Sequence, residues 1–223
     1  MTWQEIYNHV CLKLWGSSNP PASATNLTGP HGMIARAARD IQRDWNYWFM
    51  EAQTTIPVLA GVQSYALPTD YKELIKNGLQ AIETTGAYYL DPIAPLLPGE
   101  GFDSFRDAVN GDAYPSFYEI FGTNILFYPI LTGACTVRMR YYKFLPNPSA
   151  ADFTNPVGVS NALTTACPLG IAALAAMEYA GIQKEADLVQ LYAQEAKDSI
   201  DILKMEDQKW RRPEVTQVRF KDL

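Results

Sequence analysis

Histidine is scarce in this chain: His9 and His31 are the only two among 223 residues. Neither has an Asp/Glu-x-x-His or His-x-x-x-His neighbour, so no metal site is expected. Cysteine is almost as rare. Cys11, Cys135 and Cys167 are odd in number and far apart. No C-x-x-C pair exists, which removes the usual zinc and disulfide frameworks. Three buried free thiols, suited to assembly in a reducing cytoplasm, are the expectation. The phosphate-cradling patterns G-x-x-x-x-G-K and G-x-G-x-x-G are absent, as is the G-x-S-x-G nucleophile elbow. A Ser–His–Asp triad would leave no local signature, because its members meet only in space. No catalytic, cofactor-binding or metal-ligating residue is therefore assigned.

Positive charge is in the minority, with 18 Lys and Arg against 24 Asp and Glu and a net charge of −6. A general nucleic-acid binder needs a basic footprint, so that class is disfavoured. A protein that lines a DNA conduit without gripping it remains compatible with mild acidity. Long apolar runs are missing too. The most apolar stretch, Leu169 to Met177, is far too short to cross a bilayer. The first residues, Met1 to Glu5, contain no basic n-region or apolar h-region, so no signal peptide is expected.

Aromatic residues are plentiful, at 13 Tyr, 9 Phe and 5 Trp. Such residues fill cores and anchor interfaces. Thr2 can cap a first helix through Trp3, Ile6, Val10 and Leu14, ended by Gly16. Ser17 to Pro30 reads as a loop. From Pro30 a second helix is expected to about Met50. Ile34, Ala38, Ile41, Trp45 and Trp48 form its apolar stripe, and Arg36, Arg39 and Arg43 its opposite face. That arginine stripe is either a solvated face or a contact face for an acidic neighbour.

The period then changes to two. Ile56 and Val58, a Gly61 turn and Ser64 to Leu67 read as a hairpin closed by Pro68. Leu79 to Leu96 reads as short strands around Thr85-Gly86. Phe102, Phe105 and Val109 suggest a short helix. Asn124 to Ile130 and the alternating Val137, Met139, Tyr141 read as paired strands across a Thr132-Gly133 turn. Asp70, next to Pro68, suits a side-chain to backbone turn bond. A helix from Asn161 or Pro168 to Gly181 follows, then a last helix from Lys184 to Trp210. Leu188, Leu191, Tyr192, Ala196, Ser199 and Leu203 form the apolar arc of that last helix. Pro213 ends it. Val215, Val218 and Phe220 then sit in a terminal segment rich in Arg and Lys.

The expected fold is α+β: a four-helix bundle with an inserted antiparallel β lobe between the helix pairs, and an extended C-terminal arm. In residues, the bundle is 1–52 with 157–212, the lobe is 53–156 and the arm is 213–223. Candidate interface residues are Arg36, Arg39, Arg43, Trp210, Arg211, Arg212, Val215, Val218 and Phe220.

One ordered set of short motifs adds to this. Trp45 and Trp48 close the second helix, and a strand leads into Tyr65-x-Leu67-Pro68-x-Asp70-Tyr71. Pro115-x-x-Tyr118-Glu119 follows, then Ile125-x-Phe127-x-Pro129, the Val137 to Tyr142 strand and two C-terminal helices. The set, spanning about residues 30 to 210, resembles the head-to-tail adaptors (connectors) of tailed bacteriophages, the group that includes tail tubular A proteins. The resemblance implies a structural neck protein without enzymatic activity or cofactor. It implies a ring of identical subunits, usually twelve, beneath the portal protein. The ring passes genomic DNA through its lumen without sequence-specific contact and carries a downstream tail or nozzle protein. It further implies residence in the virion neck after assembly in the host cytoplasm, with no membrane contact. Two alternatives from other classes are a small helical binding or regulatory module and a small hydrolase. Ring formation or virion incorporation separates the adaptor from both. One-to-one capture of a host protein would mark the module, and turnover of a small substrate the hydrolase.

Overall fold

The computed structural model describes residues 1–18, 26–82, 89–96, 109–110, 113–155 and 157–211. The chain divides into two compact units, Met1–Met50 with Leu145–Leu223, and Glu51–Phe144.

In the helical unit, α1 spans Trp3–Trp15. Thr2 Oγ1 accepts from the Glu5 N–H at 3.2 Å, and Glu5 Oε2 accepts from the Thr2 N–H at 2.8 Å, a complete capping box. Gly16 ends the helix at φ 64°, where a side chain would be strained. The second helix, α2, spans Met33–Asp44 with Gly32 at its N-cap. It begins later than Pro30 because the Met33 and Ile34 N–H groups bond back to Asn26 and Leu27 carbonyls at 2.9 and 3.3 Å. It also ends earlier than the sequence suggests. Trp45 is extended at φ −146°, and Trp48–Met50 is a separate 3-10 turn. The tryptophans are therefore not part of the helical stripe.

After a second 3-10 turn, Ala150–Phe153, come α3 (Ala162–Ala166), α4 (Pro168–Gln183) and α5 (Ala186–Arg211). The expected four-helix bundle is not formed: five helices are described, beside two four-stranded sheets. Of the two starts expected, Asn161 and Pro168, the long helix takes Pro168, and the separate α3 before it ends at Cys167 (φ −139°, ψ 53°). Proline has no N–H and pushes the preceding residue out of the helical region, so α4 starts afresh at Pro168. Its end is Lys184 in the left-handed region at φ 62°, not Gly181. The α4 helix, apolar on nearly every side, is where the others converge: α1, α2 and α5 all pack on it. Its alanines 172, 173, 175, 176 and 180 are buried and permit close approach. Trp15 meets Tyr179 edge-on at 5.1 Å, and Trp3 and Tyr7 hold Phe153 at 6.2 and 6.3 Å.

His9 of α1 has its pKa lowered, first by burial and then by Lys13, with Glu195 opposing. Its contribution to stability is complete above the unfolded value of about 6.5 and is lost as pH falls toward the folded value. Over that window, urea denaturation should show stability declining less steeply for His9→Gln than for the wild type. Parallel pH profiles would contradict this reading.

The β unit begins with β1 (Glu51–Val58), β2 (Ser64–Ala66), β3 (Tyr71–Ile82), β4 (Tyr89–Pro92) and β5 (Ala94–Pro95). It continues with β6 (Val109–Asn110), β7 (Phe117–Phe121), β8 (Asn124–Tyr128), β9 (Ile130–Leu131) and β10 (Cys135–Lys143). One sheet has the order β1-β10-β3-β4 and the other β2-β8-β7-β5, beside a short β6-β9 pair. Neither expected hairpin forms: β1 and β2 pair with distant strands, and β8 pairs with the preceding β7 and with β2 rather than with β10. Antiparallel β1 and β10 pair from Glu51 opposite Tyr142 to Val58 opposite Cys135, while β2 pairs with β8. The chain leaves one sheet near Pro129, which cannot donate to a ladder, and enters the other at Cys135. The lobe is not purely antiparallel, since β5-β7 and β6-β9 run parallel. Val109 lies in β6, not a helix. Thr85-Gly86, Phe102 and Phe105 lie outside the described residues.

One core draws on both sheets: Ile56, Val58, Leu79, Val137 and Met139 with Ile125 and Phe127. The expected alternation in β10 holds through Tyr141 but not at Tyr142, which is also buried. Cys135 is half-buried rather than buried. In β3, residues between Leu74 and Leu79 bulge out opposite Arg140. Asn77 there has φ 57°, and a Cβ on Gly78 would fall 2.4 Å from the Arg140 carbonyl oxygen and 2.6 Å from that of Ile75. Gly78→Ala should therefore cost about 1–3 kcal/mol of stability. Gly133→Ala, which meets nothing within 4 Å, serves as the control. Equal denaturation midpoints for the two variants would contradict the crowding argument.

Candidate assembly interface

The family-type motifs serve the scaffold of the β unit. Tyr65 Oη accepts from the Leu59 N–H at 2.7 Å and donates to the Val62 carbonyl at 3.0 Å, closing the Gly61 turn. Asp70 accepts from Tyr141 Oη at 3.0 Å, a side-chain pairing rather than the turn bond expected. Tyr71 stacks on Tyr141 at 5.9 Å. Glu119 accepts from Tyr128 Oη at 3.0 Å, and Tyr118 faces Phe127 across the β7-β8 ladder. At the tip of that hairpin Phe121 is 72% exposed, beside Ile120.

Arg36, Arg39 and Arg43 lie together along α2, opposite its buried Ile34, Ala38 and Ile41. They share a cleft of about 400 Å³ with Pro30, His31, Asp40 and Asn147. Arg39 donates to Asn147 Oδ1 at 2.9 Å, and Asn147 in turn donates to the Pro30 carbonyl at 3.3 Å. Arg36 pairs with Glu178 at 2.5 Å and Arg43 with Asp40 at 3.6 Å. These pairs are exposed and contribute only about 0–1 kcal/mol each. The Arg39 pKa is lowered by burial and by the neighbouring Arg43. The lining of the cleft holds three guanidinium groups and one carboxylate, Asp40, which makes its wall positively charged.

The end of α5 carries a feature that the sequence reading missed. Asp207 is fully buried. Its carboxylate accepts from Trp45 Nε1 at 2.8 Å, the Trp48 N–H at 2.7 Å and Arg211 Nε at 2.7 Å. The bond from the Trp48 backbone N–H takes the place of the helical one it would make if α2 continued, and the bond from the Trp45 indole fixes that side chain outside the helix. The signal was present: Asp207 falls four residues after Leu203 on the arc that runs through Tyr192 and Ala196, and four before Arg211. Arg211 also donates to the Asn46 carbonyl, so it holds the fold together within this unit. Trp210 is 67% exposed and stacks on Trp48 at 6.0 Å. Arg212, Val215, Val218 and Phe220 lie outside the described residues.

The exposed side of α5 also differs from expectation. Leu191, placed on the apolar arc, is 52% exposed, and Ile202 and Met205 are each 54% exposed. Asp187, Gln194, Asp198 and Asp201 are exposed with them. The Cys167 thiol is pushed up to about 11 by burial, so it is protonated at neutral pH and unsuited to nucleophilic chemistry. No described helix is long and apolar enough to cross a membrane.

No curated protein matches the chain. The family model described as SU10 adaptor protein matches residues 1–217, nearly the whole length. An adaptor of this kind is a structural component of the bacteriophage particle and works through contacts with other head and tail proteins. With its ordered adaptor motifs built into the scaffold of a two-unit α+β fold, the chain belongs to the SU10 adaptor protein family.

Proposed function

We propose that this adaptor forms a closed ring of about twelve copies at the virion neck, a number carried over from the resemblance to tail tubular A proteins. The ring docks beneath the portal protein, lets genomic DNA pass without sequence-specific contact, and presents a platform for the next tail or nozzle protein. The family match across residues 1–217 is the observation that carries this reading. The acidic balance supports it, because a conduit for sliding DNA should not bind phosphates tightly. A closed ring needs a heterologous contact, one surface meeting a different surface on the next copy. The arginine cleft and the terminal segment are the surfaces proposed for contacts with other chains. Assembly takes place in the host cytoplasm.

Native mass spectrometry of necks released from purified virions tests the reading. A single closed copy number for this chain is expected. Absence of the chain from purified particles would overturn it.

A further inference from the structure

Resting on the ring reading, we propose that the arginine cleft of α2 receives the acidic, partly apolar outer face of α5 from the next copy of the chain. The two surfaces occur on different helices of one unit. The cleft presents Arg36, Arg39 and Arg43 with an excess of positive charge. The outer face of α5 lies opposite its buried arc of Tyr192, Ala196 and Leu203. On it, Leu191, Asp198 and Met205 recur every seventh residue, with Asp201 and Ile202 alongside. That spacing makes a continuous seam along a helix. The three apolar residues of the seam are each more than half exposed. Among the described residues Asp198 accepts from a neutral partner, Gln194 Nε2, at 2.7 Å.

The α5 face combines exposed Leu, Ile and Met with carboxylates. Apolar area supplies affinity, and charge supplies register and partner choice. The charge complement of that face is found on this same chain, at α2. A surface and its complement at two separate places on one subunit is the requirement for head-to-tail closure. A reciprocal two-fold use of both faces would stop at two copies, whereas the ring reading needs each face engaged by a different neighbour. The occupant of the cleft is thus a second copy; the portal protein and DNA phosphates are the alternatives that the test separates.

Two charge-reversed full-length chains make the test, one with Arg39→Glu and Arg43→Glu, the other with Asp198→Arg and Asp201→Arg. Arg43, Asp198 and Asp201 are exposed and Arg39 is half-buried at the cleft wall, so unchanged melting curves are required to verify folding. Assembly is followed by sedimentation and native mass spectrometry, for the chain alone and with its portal ring. Each variant alone should associate roughly 10–100-fold more weakly than the wild type. An equimolar mixture should recover assembly, because every contact in an alternating ring then pairs opposite charges. Variants that close as the wild type does would overturn the pairing while leaving the ring intact. A mixture that stays dissociated would overturn it too, and would hand the arginines to another partner. Weakened binding of duplex DNA by the arginine variant, with ring closure unaffected, would assign the cleft to phosphates instead. A wild-type chain that never closes, alone or on the portal, would overturn both the pairing and the ring.

Discussion

Replacing Asp207 with Ala should destabilise the helical unit by about 3–5 kcal/mol. The side chain is fully buried and accepts three hydrogen bonds, from Trp45, Trp48 and Arg211. Removing it leaves two N–H groups in the 45–50 segment without their acceptor and a guanidinium group without its counter-charge. Each buried unmet donor costs about 1–3 kcal/mol, so the sum is large even though Arg211 keeps partial access to water. For a chain of this size the melting temperature should fall by on the order of 10 °C. Asp201→Ala, an exposed change on the same helix, should stay within about 0.5 kcal/mol of wild type. Similar melting curves for the two variants would show that the buried carboxylate does not anchor the end of α5.

Truncation after Arg212 should have the opposite profile: unchanged melting, and loss of the ability to join heads to tails. The removed residues include Val215, Val218 and Phe220, along with Arg219 and Lys221 against Glu214 and Asp222. Those four charges balance, so the basic excess of the terminal segment resides in Lys209, Arg211 and Arg212, which the truncation keeps, and the expected defect comes from losing the apolar residues. Burying one large apolar side chain contributes roughly 1.5–3 kcal/mol, so Phe220 is the residue whose loss is expected to matter most. Phe220→Ala should reproduce much of the defect. Infectious particles at wild-type yield from the truncated mutant would show that the segment is dispensable.

Local chemistry made part of this architecture legible. The Thr2 cap, the Gly16 stop, the two-faced arginine helix and the Val137 to Tyr141 alternation all depend on neighbours within a few residues. What failed depends on distant partners. Nothing local to Ile56 or Val58 indicates that their strand pairs with Cys135–Lys143 rather than with Ser64–Ala66. The apolar period of α2 runs on through Trp45 and Trp48, yet Asp207, far along the chain, claims their N–H groups. Pro168 is legible as a helix start, but the short α3 before it, cut off at Cys167, is not. Leu191 shares its spacing with the buried arc of α5, and only packing on α4 shows which side of the helix is covered. Of the candidate interface residues, the three arginines do share one cleft. Arg211, in contrast, is engaged within its own unit.

Imaging the neck of the intact virion by electron cryo-microscopy is the most direct measurement. The expected result is a closed ring of this chain immediately beneath the portal, with DNA along its axis and the arginine cleft of each copy turned toward α5 of the next. A neck without this chain, or with isolated copies that do not close into a ring, would contradict it.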